Sequence, residues 1–278
     1  MIEIKNLCFG YKKSKNVLEN VNLNLKKGCI HGLFGKNGVG KTTLLKLIGG
    51  LQFPDKGEVK VGKFTPSERK VAFLADMSFI SEELYDSHLT IEKYVKINSV
   101  FYPNFSQQDF EAYLKDFEIE DTKQYLHKLS YGTKKKIFTS SGLACHCKLI
   151  LLDEPTNGLD IPSKSQFRKV ILRAMSDETC VVISTHQVRD LHNLIDSVLI
   201  LDDTNVLLNA TSEEICNKLF FGICDTLQSK EEMLYSEDDV RGLKFVKENT
   251  ENQESELDIE ILFNAALANK EKFRELFS

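Results

Sequence analysis

A glycine-rich octapeptide, Gly35-Lys36-Asn37-Gly38-Val39-Gly40-Lys41-Thr42, constrains the fold of this chain more than any other segment. It fits the pattern G-x-x-x-x-G-K-S/T at every fixed position, and it lies between an apolar run at 29–34 and a helical pattern at 41–48. Glycines let the backbone wrap around phosphate oxygens, and the first N–H groups of the following helix point toward the same anion. The segment therefore predicts a strand, a phosphate-binding loop and a helix in succession.

The first 224 residues alternate short apolar runs with helical patterns. Continuous apolar runs at 149–152, 181–184 and 198–201 are typical of strands buried on both faces. We expect a further strand at 71–74, followed by a helical subdomain over about 77–128. Strands that alternate with helices predict an α/β fold with a mostly parallel central sheet.

The composition changes after about residue 224. Residues 225–256 are polar and acidic, and the segment from 257 to 277 has helical spacing. We therefore predict one large domain at 1–224 and a small C-terminal accessory region at 225–278.

Length, charge and cysteine usage narrow the class of protein. The chain has 278 residues and a net charge of −5, which argues against nucleic acid as the main ligand. No run approaches the roughly 18–20 apolar residues of a membrane span, and the amino terminus has no secretory pattern. Seven scattered cysteines predict reduced thiols in a cytosol, with Cys145 and Cys147 as buried structural thiols rather than zinc ligands. We expect a soluble protein, whose membrane role, if it has one, requires a partner.

Two carboxylates follow the apolar run at 149–152. The ends of buried parallel strands are where α/β folds place ligand groups. We expect Asp153 to hold Mg²⁺, mostly through water, and Glu154 to polarise an attacking water. Taken alone, the pair fits a plain exit from strand to turn equally well, and the phosphate loop upstream favours the functional interpretation.

Residues 129–136, Leu-Ser-Tyr-Gly-Thr-Lys-Lys-Lys, precede a helical stretch. The serine of this segment, Ser130, lies 23 residues before Asp153. They resemble the signature motif of the ABC (ATP-binding cassette) ATPases. Further landmarks of that family follow in order: Tyr11 matches its adenine-stacking aromatic residue, residues 157–160 match its D-loop, and His186 matches its switch histidine. The resemblance covers the chain to about residue 220.

The resemblance implies a P-loop NTPase cassette with a mostly parallel central sheet, an antiparallel β subdomain, a helical subdomain and here a small C-terminal α/β appendage. It implies ATP and Mg²⁺ as cofactors, with Glu154 and His186 as catalytic residues. Metal ligands would be Thr42, Asp153 and Asp76. The implied nucleotide-binding residues are Tyr11, Gly35, Asn37, Gly38, Gly40, Lys41, Thr42, Thr43, Asp76, Ser130, Gly132 and Asp160. Ser130 and Gly132 would serve the nucleotide of the opposite subunit, and Asp160 would lie at the seam between the two.

The chain departs from the family pattern at two places. Tyr131 and Thr133 stand where the signature motif usually has glycine and glutamine. The glutamine expected after a strand is also missing, and Asp76 follows the apolar run at 71–74. We expect Asp76 to act near Mg²⁺ as an outer-shell ligand; the alternative is that it merely ends a strand and points to solvent.

The function that the resemblance implies is ATP binding and hydrolysis in an ABC transporter, with an exporter favoured over an importer. Its partners would be an integral membrane permease, contacted through residues 77–128, and a second ATP-binding subunit. The chain would then be cytoplasmic and peripheral on the inner face of the cell membrane. Tyr85, Tyr94 and Phe101 are candidate contacts, or else core residues of the helical subdomain. The alternative functions are a soluble ABC ATPase of translation or DNA repair, and a non-catalytic nucleotide sensor.

Overall fold

The structure is a computed structural model that describes residues 1–12, 15–84, 86–191, 193–224, 233–240 and 242–277. The strands follow one another as β1 (Ile2–Phe9), β2 (Leu18–Leu25), β3 (Cys29–Phe34), β4 (Lys56–Val61), β5 (Met77–Ile80), β6 (Leu149–Asp153), β7 (Cys180–Thr185), β8 (Ser197–Asp202), β9 (Asn205–Thr211), β10 (Leu219–Cys224), β11 (Met233–Asp239) and β12 (Gly242–Glu248). The helices are α1 (Lys41–Ile48), α2 (Val71–Leu74), α3 (Ile91–Ser99), α4 (Gln107–Asp116), α5 (Tyr131–Leu143), α6 (Ile161–Ala174), α7 (Ser212–Lys218), α8 (Ile259–Ala268) and α9 (Lys270–Leu276). Short 3-10 turns lie at Pro66–Glu68, Leu126–Lys128 and Val188–Leu191.

The central sheet has the strand order β5-β6-β7-β3-β8-β9. Every neighbouring pair is parallel except β8 and β9. The mostly parallel sheet predicted from the apolar runs is therefore confirmed. In the pairing register Phe34 lies beside Thr185, and Asp153 lies beside Ser184. The loops that leave β3, β6 and β7 therefore begin at the same edge of the sheet.

Two smaller antiparallel sheets accompany the central sheet, one formed by the amino-terminal part of the chain and one by the carboxy-terminal part. The amino-terminal sheet has the order β2-β1-β4, as the family resemblance implies. The carboxy-terminal sheet has the order β10-β12-β11, and α8 packs against β11 and β12. Together with α9 these elements form the C-terminal α/β appendage.

Two hydrophobic clusters cover opposite faces of the central sheet. One contains the apolar side chains of the amino-terminal sheet and of α1, and the other contains those of the helical layer and of the C-terminal region. Strand β6 contributes to both, because Leu149 and Leu151 face the first cluster and Ile150 and Leu152 face the second. Side chains alternate between the faces of a strand, so a strand covered on both faces is apolar at every position.

The expected strand at 71–74 is wrong, because these residues form the one-turn helix α2. Val71 is 82% exposed and Phe73 is buried, so the run has only one face in the core. A four-residue apolar run cannot be assigned to helix or strand by periodicity alone. The strand that joins the central sheet is instead β5, a few residues further along.

The domain limits predicted from composition can be compared with the strand pairing. Strand β10 precedes residue 225, yet it pairs with β12 in the carboxy-terminal sheet. Strand β5 falls within the predicted helical segment 77–128, yet it pairs with β6 in the central sheet. The helices α3 and α4 occupy the rest of that segment, and the following helix α5 packs against α4.

Candidate functional site

The glycine-rich loop adopts the conformation that its glycines permit. Gly38 has φ 79° and Gly40 has φ 112°, values that side chains with a Cβ rarely adopt. Helix α1 begins directly after Gly40, so no side chain caps the first N–H groups of the helix. Within the described segment 41–48, the first turn also carries no acidic residue. Backbone N–H groups at the start of α1 therefore remain available to bind an anion.

The Lys41 side chain lies inside the loop. It is 6% exposed, and its Nζ donates to the backbone oxygen of Gly35 at 2.8 Å and of Lys36 at 3.3 Å. The same Nζ lies 3.6 Å from Glu154 Oε1. These contacts fix a positive charge at the centre of the loop, where a bound phosphate group would need it.

Thr42 and Asp153 meet although they are far apart in the sequence. The Thr42 hydroxyl donates to Asp153 Oδ2 at 2.8 Å, and the Ser184 hydroxyl donates to Asp153 Oδ1 at 2.5 Å. Asp153 is 1% exposed, so these hydrogen bonds compensate much of the cost of its burial. The register of β6 and β7 places Ser184 beside Asp153 and so orients the carboxylate.

Glu154 is held in a left-handed backbone conformation with φ 45°. For a residue other than glycine this conformation costs about 1–2 kcal/mol. Its N–H donates to Ser184 O at 3.0 Å, and its carboxylate lies 3.0 Å from His186 Nδ1. The turn of the backbone thus directs Glu154 into the same space as Lys41 and His186.

A cavity of about 630 Å³ joins these groups. Its volume is in the range of small-molecule sites. Tyr11 lies at its edge, 59% exposed, with its hydroxyl 3.1 Å from Thr43 Oγ1 and its ring in edge contact with Phe9. The residues that line the cavity are Tyr11, Val17, Asn37, Gly38, Gly40, Lys41, Thr42, Thr43, Glu82, Glu154, Asn157 and His186.

The three residues predicted to act between two subunits, Ser130, Gly132 and Asp160, lie outside the lining of this cavity, as do Gly35 and Asp76. Ser130 caps α5, where its Oγ accepts from the N–H of Thr133 at 3.1 Å. Gly132 packs against Gly158, because a Cβ at Gly132 would lie 3.1 Å from the Gly158 oxygen. Asp160 caps α6, and the hydrogen bonds from Ser163 lower its pKa. A role at the nucleotide of a second subunit stays a prediction for these residues.

The predicted role of Asp76 at the magnesium site is wrong. Asp76 precedes β5, its Oδ1 accepts from the N–H of Lys148 at 2.9 Å, and its backbone oxygen accepts from Leu149 at 3.3 Å. It therefore joins the amino-terminal ends of β5 and β6. The cavity lies at the carboxyl ends, about 13 Å away along a four-residue strand.

Glu82 lies where the sequence predicts Asp76. It follows the carboxyl end of β5, lines the cavity, and accepts a hydrogen bond from Asn157 Nδ2 at 2.8 Å through Oε1. The sequence contains the signal, since the largely apolar segment Met77-Ser78-Phe79-Ile80 ends two residues before it. Because the strand is 77–80 and not 71–74, the carboxylate that reaches the cavity is Glu82 and not Asp76.

The two carboxylates are expected to respond differently to substitution. Asp76→Ala should leave the magnesium dependence of ATP hydrolysis superimposable on that of the unaltered protein. Glu82→Ala should lower the maximal rate about tenfold, equivalent to about 1.4 kcal/mol, because it removes a carboxylate from the cavity. Magnesium titrations of the ATPase rate test both. A larger effect of Asp76→Ala than of Glu82→Ala would reverse the assignment.

The oxygen groups beside Lys41 fit a magnesium ion. Mg²⁺ prefers oxygen ligands and usually binds through one or two carboxylates together with water and substrate phosphates. Thr42 and Asp153 provide a hydroxyl and a carboxylate in direct contact, and the carboxylates of Glu82 and Glu154 line the same cavity. In the described part of the chain no three His, Cys, Asp or Glu side chains cluster as a metal cage. Buried Cys145 and Cys147 are free thiols.

Comparison with known proteins identifies relatives over most of the chain. The protein family described as ABC transporter matches residues 18–157. The ABC transporter ATP-binding protein YtrB of Bacillus subtilis is 31% identical over 224 residues, which cover 77% of this chain and 74% of that protein. The SkfA peptide export ATP-binding protein SkfE of the same organism is 29% identical, covering 74% of this chain and 87% of its own.

Solved structures show the same fold. A dimeric structure of the ATP-binding cassette MJ0796, in a post-hydrolysis state with ADP and Pi, superimposes with a TM-score of 0.67. It is 25% identical, and the match covers 76% of this chain and 98% of that chain. The match leaves about a quarter of this chain uncovered.

Proposed function

Since this chain belongs to the ABC transporter family and is an ATP-binding, ATP-hydrolysing subunit of a transporter, we propose that it powers export through a separate membrane permease. The observation that carries the assignment is the cavity in which the glycine-rich loop, Lys41, Glu154 and His186 meet, with Asp153 hydrogen-bonded to Thr42 of its lining. The names of the relatives favour a transporter over the alternative of an ATPase in translation or DNA repair.

Different residues at the cavity bind the phosphates, hold the metal and activate the attacking water in phosphoryl transfer. Lys41 and the N–H groups at the start of α1 bind the phosphates, which keeps the terminal phosphoryl group in place. Thr42 and Asp153 would hold Mg²⁺, which neutralises negative charge on the phosphates when bound. Glu154 orients the attacking water and accepts its proton, and His186 holds the Glu154 carboxylate through Nδ1.

A second ATP-binding subunit would complete the site. Ser130 and Gly132 stand at the start of α5, where a capping hydroxyl and free N–H groups suit an anionic phosphate, but they do not line this subunit's cavity. The similar cassette MJ0796 has been solved as a dimer. We infer that two subunits close head to tail around two ATP molecules and that hydrolysis reopens them.

The proposed direction of transport is outward. The similarity to a peptide export ATP-binding protein supports it. A strain that lacks this chain should become more sensitive to a panel of antimicrobial peptides. The unaltered gene should restore resistance, and a gene carrying Glu154→Gln should not. Unchanged sensitivity in the deletion strain would argue against export of such peptides.

The proposed permease contact lies at the end of α3. None of the helices in the described residues is both long and apolar enough to cross a bilayer. Val100 is 75% exposed and Phe101 is 67% exposed, which leaves two adjacent apolar side chains for a partner. Tyr94 packs edge-on against Phe138 at 4.9 Å and belongs to the subdomain core, whereas Tyr85 lies outside the described residues. The chain would then be peripheral on the cytoplasmic face of the membrane.

Charged residues at this surface should uncouple the chain from its permease. We expect the double substitution Val100→Asp and Phe101→Asp to abolish co-purification of a multi-spanning protein from native membranes, with ATP affinity unchanged. The matched control is Val71→Asp, since Val71 is 82% exposed on α2. Retention of the membrane partner by the double variant would move the contact to another surface.

A further inference from the structure

A fully buried lysine lies one turn into the helix that begins at the signature motif. Lys135 is 0% exposed, and its Nζ donates to the Tyr131 hydroxyl at 3.3 Å and lies 5.4 Å from the centre of the same ring. Residues four apart share a face of a helix, so both side chains point to the same side of α5. Burial lowers the pKa of Lys135 to about 8, while the carboxylates of Glu82, Asp153 and Glu154 oppose that shift.

The Tyr131 hydroxyl continues the chain of hydrogen bonds toward the cavity. It donates to the backbone oxygen of Glu82 at 2.7 Å, and the Glu82 carboxylate accepts from Asn157 Nδ2 at 2.8 Å. Glu82 and Asn157 both line the phosphate cavity. The hydrogen bonds therefore run from Lys135 through Tyr131 to two residues of the site.

The Tyr131 ring makes a second contact with the loop after β6. Gly158 has φ 79°, and a Cβ there would lie 2.8 Å from the ring, so the two are packed as closely as a glycine allows. Tyr131 thus touches the segment that follows β5 and the loop that carries Asn157. The tyrosine that departs from the family's usual glycine lies between the start of α5, the segment after β5 and the loop that carries Asn157.

We propose that Tyr131 and Lys135 are positioning residues that hold Glu82 and Asn157 at the phosphate cavity of their own subunit. Lys135 orients the Tyr131 hydroxyl, and Tyr131 holds the backbone of Glu82 against the start of α5. The signature helix and the carboxylate at the cavity then move as one body. This inference rests on the proposed function only for its kinetic consequence, because the contacts lie within one subunit.

Removing the Tyr131 hydroxyl or the Lys135 ammonium group tests whether these contacts hold Glu82 in place. We expect Tyr131→Phe and Lys135→Met each to lower kcat for ATP hydrolysis five- to tenfold, with KM for ATP and Tm little changed. The double variant should be no slower than the slower single variant, since Lys135 acts through the hydroxyl. Tyr113→Phe is the control for the loss of a tyrosine hydroxyl elsewhere in the helical layer, on α4, and Lys169→Met is the control for a lysine that does not line the cavity.

Hydrogen–deuterium exchange provides a readout that does not depend on turnover. Amides of residues 78–84 should exchange several-fold faster in Tyr131→Phe than in the unaltered protein, and Tyr113→Phe should leave them unchanged. Tyr131→Phe removes only a hydroxyl, so it decides the question even if Lys135→Met does not fold.

Three results would overturn the proposal: an unchanged kcat in Tyr131→Phe, additive losses in the double variant, or exchange at 78–84 no faster than in Tyr113→Phe. A rise in KM as large as the fall in kcat would also contradict it and would indicate direct contact with nucleotide. If the unaltered protein lacked ATPase activity, the proposed function would fail, and the exchange comparison would still decide whether Tyr131 holds this segment.

Discussion

Glu154→Gln is expected to bind ATP with nearly unchanged affinity while hydrolysis falls about 10²–10⁴-fold, the usual contribution of a general base. Glutamine keeps the size of the side chain and can still accept a hydrogen bond from His186. It cannot accept the proton of the attacking water. In the proposed cycle ATP closes two subunits and hydrolysis reopens them, so the variant should accumulate as a closed dimer.

Size-exclusion chromatography with light scattering, with ATP and Mg²⁺ present, measures that dimer directly. The control is Glu178→Gln, which neutralises an exposed carboxylate paired with Lys27 far from the cavity. The control should hydrolyse ATP normally and show no excess dimer. If Glu154→Gln stays monomeric and hydrolyses ATP at the normal rate, another residue orients the water.

Lys41→Ala is expected to abolish productive ATP binding. Lys41 is 6% exposed and is held by the oxygen of Gly35, so its charge is already positioned for a phosphate group. Removing one partner of a buried charged hydrogen bond costs about 2–5 kcal/mol. We therefore expect affinity to fall by a factor of about 30 or more.

Calorimetric titration with ATP measures this loss. Lys46→Ala is the matched control, because Lys46 lies in the last turn of the same helix and does not line the cavity. Comparable melting temperatures for the two variants would separate a binding effect from unfolding. Equal ATP affinity in Lys41→Ala and the unaltered protein would contradict the role assigned to the loop.

Several parts of the site could be predicted because they depend on neighbours in the chain. The glycine-rich loop needs left-handed backbone at Gly38 and Gly40, followed directly by a helix. Eight consecutive residues meet both requirements. Asp153 ends a strand whose continuous apolar run reflects burial on both faces, and Glu154 follows it. Such local signals also identified most strands of the central sheet.

The incorrect prediction for Asp76 shows what local sequence patterns cannot determine. Residues 71–74 and 77–80 are two short, largely apolar segments of the same length, and only packing distinguishes them. β5 pairs with β6 in the central sheet, whereas residues 71–74 wind into a helix with Val71 in solvent. That choice decides which carboxylate reaches the carboxyl edge of the sheet, and it selects Glu82.

The sequence by itself determined the phosphate loop, the existence of the strands β3, β6 and β7 that lead into the site, and the residue types that ATP hydrolysis requires. Only the tertiary structure decided that Glu82 shares the cavity with Glu154 and that Tyr131 joins α5 to Glu82. The reason is physical: a glycine-rich turn or a buried strand is specified by adjacent residues. A contact between residues 82 and 131 depends instead on sheet order and on the packing of a helical layer, which the whole chain determines together.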